Sequence, residues 1–374
     1  LAYRATSMAV QRVLIVTGWF PTATNPVGGL FVRRQAEALS DAGLTVRVLH
    51  LRSGAESAEP VQSADDRRLV VETAAVPVRL RVVQEFVAVA RVLRTIRRFR
   101  PDVVHAHVFD VGLAAVVAGR LARVPVVVTE HWSRLLRGLR WFERPRARLA
   151  YRGAHRVVAV GHALARRVSD LSGRDDVVVV PNVVVTAGSV RALDGTPQPF
   201  RLVTVGSLTA LKAQATLIDA LAVLANDRGL DVHLTIAGDG PEAVALHDQA
   251  AEKGVVHLVE FMGRVAPADV EEILRRSHVF VLSSRVETFS VATAEALSIG
   301  LPVVVTGCGG PEDFVGPDDG VVVAIDDVNA LADGIAAVLA NWGAWSAPAI
   351  ADRARHQFGP DTIACRLVEI YEAM

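Results

Sequence analysis

The segment RVETFSVATAEAL, residues 285–297, sets two carboxylates, Glu287 and Glu295, among small and apolar side chains. Val, Ala and Leu at helical spacing are enough to bury such a helix against a sheet, so packing does not account for the acids. The two acids are either solvated decoration or hold a ligand. A cation stands upstream. In RLVTVGSLTALKAQATLIDAL a strand pattern runs into Gly206 and Ser207, and Lys212 precedes a periodic helix. A lysine next to a glycine turn at the carboxyl end of a strand suits a diphosphate. Gly238, Gly240 and Gly263 mark further turns after strands.

In the first half, WFPTATNPVGGLFVRRQAEAL places Gly28 and Gly29 just ahead of a helical pattern. Paired glycines let backbone approach a ligand, and first-turn N–H groups attract phosphate, although a simple turn is the commoner reason for such a pair. His105 and His107 in DVVHAHVFD share one strand face, and His131, beside Glu130, ends the next strand. Three imidazoles at one sheet edge form a candidate ligand contact, with His131 the leading one. No acid stands at a spacing that completes a metal site with them, and the chain has no D-x-D triplet, so no metal is expected. The dinucleotide fingerprint GxGxxG is missing from the first glycine loop, and the phosphate loop GxxxxGK[ST] from the whole chain, which removes the main support for a dehydrogenase or a P-loop ATPase.

Stepping outward from these residues, short β-branched runs alternate with helix-length segments: RVLIVT, TVRVLHL, RLVVET, DVVHAH, PVVVTE, RVVAVG and VVVVPNVV, then RLVTVG, VHLTIAG, VVHLVEF, HVFVLSS, PVVVTG and GVVVAI. Nearly continuous apolar strands of this kind predict parallel sheets covered on both faces. The expected fold class is α/β, with two Rossmann-like, doubly wound parallel-sheet domains facing a central cleft. TAGSVRALDGTPQP, residues 186–199, reads as the linker, with the boundary near residue 195. The domains are expected at 1–190 and 191–355, followed by a C-terminal helix over 356–374 that packs back on the first domain. Leu1 to Ser7 read as upstream residues before an initiator Met8.

The chain has 374 residues, long enough for two such domains, and its 51% hydrophobic and 21% charged content is that of a globular protein. Apolar runs such as VGLAAVVAG fall short of a bilayer span, no secretory leader is apparent, and two cysteines are too few for a disulfide framework, so a cytoplasmic location is expected. The zero net charge hides an asymmetry. Residues 1–190 carry 28 Arg and no Lys against 15 acids, a net +13, balanced by −13 in the remainder. Arg134, Arg137, Arg140, Arg144 and Arg148 recur among Leu, Trp and Phe, with Pro145 breaking any single long helix, and residues 79–100 form a second basic amphipathic segment. A solvated basic face is one reading. The other is a peripheral contact with an anionic membrane at the inner face of the plasma membrane, where each basic group contributes on the order of 1 kcal/mol. No nucleic-acid-binding motif accompanies the charge, so no nucleic-acid partner is expected.

SSRVETFSVATAEALSIGLPVVVTGCGGPEDFV, residues 283–315, resembles the signature of retaining glycosyltransferases of GT-B architecture (family 4-like, group 1), in which two Glu frame seven residues ahead of a Gly-Pro strand start. The likeness extends through the Gly28–Gly29 loop, the His131 strand end, VVPNVVV, the Gly206–Lys212 loop and AGDGP. It implies a retaining hexosyltransferase-type enzyme, with no cofactor, that uses a nucleotide-diphosphate sugar (UDP- or GDP-linked) as co-substrate. The acceptor would be a saccharide, lipid-linked or otherwise anionic, in cell-envelope polysaccharide or glycolipid synthesis. By the same resemblance Glu287 holds sugar hydroxyls, Glu295 the ribose and Lys212 the diphosphate, with His131 completing the catalytic set. Gly28, Gly29, Gly206, Ser207, Gly238, Arg264, Thr288, Phe289, Ser290 and Val291 are the implied donor contacts. Ser207 replaces a customary arginine, for which Arg264 is a candidate substitute. Val183 and Val185 replace a glycine and an aspartate, and Ala213 and Ser290 stand where glycine is frequent. These departures keep two alternatives open: a non-catalytic nucleotide-sugar-binding homologue and a nucleotide-sugar epimerase of the same architecture.

Overall fold

The computed structural model describes residues 9–53, 69–76, 81–186, 190 and 197–374. The upstream segment Leu1–Ser7 with Met8, and the boundary near residue 195, lie outside the described residues. The chain divides into two compact units, Leu1–Val183 with Phe358–Met374, and Val184–Gln357.

In the first unit the elements run β1 (Arg12–Thr17), α1 (Leu30–Asp41), β2 (Thr45–Ser53), β3 (Leu69–Val76), α2 (Arg81–Phe99), β4 (Val103–His107), α3 (Phe109–Ala122), β5 (Val126–Glu130), α4 (Arg134–Arg137), α5 (Arg144–Gly153), β6 (Arg156–Ala159), α6 (His162–Ser172) and β7 (Val178–Val179). The second runs β8 (Phe200–Val205), α7 (Gln214–Ala222), β9 (Val232–Ala237), α8 (Ala243–Glu252), β10 (Val259–Gly263), α9 (Pro267–Arg276), β11 (Val279–Leu282), α10 (Val291–Ser298), β12 (Val303–Thr306), β13 (Gly320–Val323), α11 (Val328–Ala340) and α12 (Ala347–Phe358). A last helix, α13 (Pro360–Glu372), belongs to the first unit and packs on α1.

Both sheets are parallel, as the β-branched runs predict. Their orders are β3-β2-β1-β4-β5-β6-β7 and β10-β9-β8-β11-β12-β13. Ile15 of β1 faces Val48 on one side and His105 on the other, and Val203 of β8 lies between Thr235 and Phe280. The fold is two Rossmann-like sheets, one per unit. Strands such as β4, β5, β11 and β12 are buried at every position, because helices cover both faces. In the first core Val13, Ile15, Val48 and Val127 meet Val32, Ala36 and Leu39 of α1 and Ile363 and Leu367 of α13.

Two strand expectations need correction. VVVVPNVV is paired only at Val178–Val179, since Pro181 has no N–H to extend the ladder on this outermost strand. In VVHLVEF, Val256–Leu258 form a 3-10 turn and the strand begins at Val259, at the sheet edge. The arginine-rich segment breaks into α4 and α5, with Gly138 at φ 104° and Pro145 in the first turn of α5.

Candidate functional site

In the second unit the strand order reverses between β8 and β11, and the loops after these two strands are tied together. Ser283 donates to the Lys212 carbonyl at 2.9 Å, the Arg285 N–H to the Leu211 carbonyl at 2.8 Å, and the Arg285 guanidinium to the Ala210 carbonyl at 2.6 Å. These bonds bring Lys212 Nζ to 2.5 Å from Glu287 Oε1, which also accepts from Ser284 Oγ at 2.9 Å. The Glu287 N–H is held by the Cys308 carbonyl at 3.0 Å. Glu287 is 8% exposed, so its charge is largely out of water and requires this pairing. A lysine ammonium has three protons; one bond to Glu287 leaves it donors for an anionic ligand.

The glycines around this pair have different reasons. A Cβ on Gly238 would lie 1.8 Å from the Gly206 carbonyl oxygen, and one on Gly240 would lie 2.2 Å from that of Leu208. Both let the loop after β9 press its backbone against the loop after β8. Gly310 likewise lies against the backbone of Phe289, where a Cβ would come within 2.6 Å of the Phe289 nitrogen. Gly309 donates its N–H to Glu312 at 2.6 Å, closing the turn. Ser207 is exposed, and Arg264 lies beside the Gly238 turn, its guanidinium 4.0 Å from Asp239. No bond ties it to Lys212.

Ala213 and Ser290, the two substitutes for glycine, both adopt left-handed backbone, at φ 48° and 71°. They are the residues immediately before α7 and α10, so each helix beside the Lys212–Glu287 pair begins on a strained residue, at a cost of about 1–3 kcal/mol each. Ser290 Oγ is 2.8 Å from Thr293 Oγ1. Phe289 is buried against Phe314, while Thr288, Val291 and Glu295 are half-buried, with Glu295 in the second turn of α10.

In the first unit the order reverses between β1 and β4. Gly29 precedes α1 at φ 72°, and a Cβ there would lie 2.3 Å from the Trp19 carbonyl, so only glycine fits. The Gly28 N–H bonds Asn25 Oδ1 at 3.1 Å. Phe31, in the first turn of α1, packs at 4.4 Å and a tilt of 36° against the ring of His131, which brings the glycine loop and the end of β5 together. His107 Nδ1 is 2.9 Å from His131 Nε2. Burial lowers the pKa of His105 and His131 to about 3 and that of His107 well below its usual value; at His131 a side-chain hydrogen bond with Asn182 acts in the other direction. All three imidazoles are neutral at physiological pH, and no cluster of metal-ligating groups occurs among the described residues.

Glu130 braces the end of β5. It accepts from the N–H groups of Phe109, His131 and Trp132 and from the Tyr151 hydroxyl, at 3.1, 2.9, 2.8 and 2.6 Å. Burial pushes its pKa up and the four donated bonds pull it down. Nearby, a cavity of about 400 Å³ opens among Trp19, Asn25, His50, Gln84, Asp110 and Arg146. Arg146 bonds Asp110 at 2.9 Å and Glu85 at 2.8 Å, which fixes one wall.

Residues 193–357 match the family described as glycosyl transferases group 1, and residues 28–187 match glycosyltransferase family 4. The chain belongs to the group 1 glycosyltransferases. A glycogen synthase of Mycobacterium tuberculosis is 29% identical over 75% of this chain and 71% of its own length. The putative teichuronic acid biosynthesis glycosyltransferase TuaC of Bacillus subtilis is 27% identical over 87% and 88%. Among solved structures, the lipopolysaccharide outer core galactosyltransferase WaaB superposes with a TM-score of 0.79 at 16% identity, over 97% of this chain and 100% of that one. Anabaena HepE in complex with UDP gives 0.77 at 19% identity, over 97% and 100%. These neighbours show that the glycosyltransferase has the GT-B fold.

Trp19, Gln35, Ser284, Asp110, Arg146 and Tyr371 were not singled out by sequence. Each is an ordinary core or surface residue by type, and only through-space contacts distinguish it. Two outcomes follow from this geometry. Gly29→Ala adds left-handed strain to a backbone clash and should lower stability by about 3 kcal/mol. Gly28→Ala meets only the Asn25 side chain and should cost much less; equal losses in denaturant melts would contradict this. A buried base whose folded pKa lies below its unfolded value of 6.5 binds its proton more weakly when native. The stability from His105, His107 and His131 is therefore complete above pH 6.5 and declines as pH falls from there, by about 1 kcal/mol per pH unit for each. Thermal melts between pH 7 and 5 should show a marked drop, and a flat profile would exclude neutral burial.

Proposed function

We propose that this glycosyltransferase moves a sugar from a nucleotide-diphosphate sugar, UDP- or GDP-linked, to a saccharide or lipid-linked acceptor with retention at the anomeric carbon. The observation that carries the reading is the Lys212–Glu287 pair at the point where the second sheet reverses its strand order. Such a reversal opens a crevice beyond the strand ends, and a diphosphate sugar presents the two chemistries this pair recognises, an anion and a set of hydroxyls. As the bond from the anomeric carbon to the diphosphate breaks, negative charge grows on the diphosphate and positive charge on the ring. Lys212 and the first-turn N–H groups of α10 stabilise the former, and one preorganised donor of this kind is worth roughly 10²- to 10³-fold in rate. Glu287 orients the sugar. The acceptor oxygen bonds to the anomeric carbon on the face the diphosphate leaves, and its proton passes to the departing diphosphate oxygen. Glu295 holds the ribose, and Gly28, Gly29 and His131 supply further donor contacts. Gly206, Ser207, Gly238, Arg264, Thr288, Phe289, Ser290 and Val291 border the nucleotide and diphosphate. The likeness to TuaC, a putative teichuronic acid biosynthesis glycosyltransferase, supports a place in cell-envelope polysaccharide or glycolipid synthesis.

The acceptor reading is supported by the first unit, where α3 packs between α2 and α5. Exposed apolar side chains stand on and beside this layer: Phe86 72%, Leu121 66%, Leu149 57% and Trp141 83%. Exposed arginines, among them Arg91, Arg94, Arg97, Arg120, Arg144 and Arg148, interleave with them. Apolar groups set among arginines suit the interface of an anionic membrane, and we place the enzyme on the cytoplasmic face. No described helix is long and apolar enough to cross a membrane.

Glu287→Gln and Lys212→Ala should each reduce sugar transfer at least about tenfold, a loss of ~1.4 kcal/mol in transition-state stabilisation. Normal turnover in both would sink the assignment. Liposome flotation should show binding that rises with anionic lipid content and weakens in a Trp141→Ser, Leu149→Ser double variant. Binding indifferent to lipid charge would rule out the membrane contact.

A further inference from the structure

Behind His131 lies a buried polar array with no part in packing alone. His105 and His107 stack at 4.6 Å on the same face of β4, and His107 stacks at 5.1 Å on His131. Gln35 of α1 directs its amide nitrogen at both His105 Nδ1 and His107 Nε2, each at 3.4 Å. His105 Nδ1 is also 2.6 Å from the Tyr371 hydroxyl of α13, and its Nε2 is 2.6 Å from Thr129 Oγ1 of β5. Gln35, His105, His107 and Tyr371 are each nine-tenths or more buried, so an unmatched donor or acceptor among them is costly.

With the Gln35 amide nitrogen facing the two rings, the donor rules place the protons. An amide nitrogen only donates, so the ring atoms it faces, His105 Nδ1 and His107 Nε2, are acceptors. A neutral imidazole carries one N–H, which puts the proton of His107 on Nδ1. That Nδ1 faces His131 Nε2 at 2.9 Å, so His131 Nε2 accepts and its own proton is on Nδ1. At His105 the same logic places the proton on Nε2, donated to Thr129, with the Tyr371 hydroxyl donating to Nδ1. Both nitrogens of His105 and of His107, and Nε2 of His131, are satisfied by one consistent set of protons, and the opposite orientation of the Gln35 amide would reverse the whole set.

We propose that Gln35 and His107 are positioning residues that fix the tautomer of His131, keeping its proton on Nδ1 and its Nε2 occupied as an acceptor. The consequence for sugar transfer rests on the proposed role of His131 in donor binding; the tautomer itself does not. A ring locked in one tautomer needs no proton rearrangement during the reaction.

The full chain, labelled with ¹⁵N-histidine, gives the answer through long-range proton–nitrogen correlation at neutral pH, with the His131 signals assigned by their loss in His131→Gln. The expected pattern is a protonated Nδ1 and an unprotonated Nε2 on both His131 and His107. A His131 ring protonated on Nε2 in the wild-type protein overturns the proposal, whatever the variants do. His107→Asn retains an amide donor near the Nδ1 position and should preserve the His131 tautomer, whereas His107→Leu and Gln35→Leu should release it. In transfer assays His107→Leu should lose about tenfold in kcat/KM, the effect of one hydrogen bond, and His107→Asn should restore most of that. An unchanged His131 tautomer in folded His107→Leu also overturns it. Failure of the tautomer reading while Glu287→Gln still lowers transfer as expected removes this inference and leaves the proposed function; absence of transfer with the expected tautomer does the reverse.

Discussion

Two neighbouring parallel strands whose connections leave in opposite directions cannot close the space beyond their carboxyl ends, and each unit contains one such place, between β1 and β4 and between β8 and β11. The chemistry-bearing groups collect there because no other part of a doubly wound sheet offers loops with converging backbone and an open front. In the second unit the reversal sets Lys212 and Glu287 at the ends of the two strands that flank it. In the first it sets Trp19, the Gly28–Gly29 turn, the histidines of β4 and His131 just after β5 around one edge. The parallel ladder is thus prior to the site: residues on β4 and β11 are buried on both faces, and the loops that leave them have little freedom in direction.

Concentrating polar groups at a buried edge has an energetic cost, and the two units meet it differently. The second pairs opposite charges, Lys212 with Glu287, and holds the pair with hydroxyl and carbonyl contacts from Ser284 and Cys308. The first uses neutral groups in a chain, since burial keeps His105, His107 and His131 uncharged, with hydrogen-bond contacts running from ring to neighbour. Glu130 is the exception, a buried acid made tolerable by four donors. Neither arrangement is a device for stability. A well-packed apolar substitute would serve the fold as well or better, which is why such groups point to function.

Strain marks the same places. Ala213 and Ser290 stand in left-handed backbone at the starts of α7 and α10, a conformation that glycine accepts without penalty. Their side chains therefore persist against a local cost, on the two helices that begin beside Lys212 and Glu287. The glycines that remain, Gly238, Gly240 and Gly310, are explained by backbone contact between adjacent loops, so their presence in the sequence signals close approach of chain to chain before it signals a ligand.

Strand positions, the two-sheet α/β class and the identity of the loops that carry chemistry were legible because they are written in local periodicity and turn residues a few positions apart. β-branched runs ending in glycine decided β1, β8 and β12 in this way, and the Glu287 segment with its following Gly-Pro turn decided the family. The misread stretches, Val177–Val184 and Val255–Leu258, lie at sheet edges, where β-branched composition is present but a second neighbour to hold the strand is not. What only the folded chain decided are the partnerships: Lys212 with Glu287 across 75 residues, and His105 with Tyr371 across 266. Side-chain type states what a residue is able to donate or accept, whereas the partner is chosen by loop closure and helix docking, and these depend on the whole sheet.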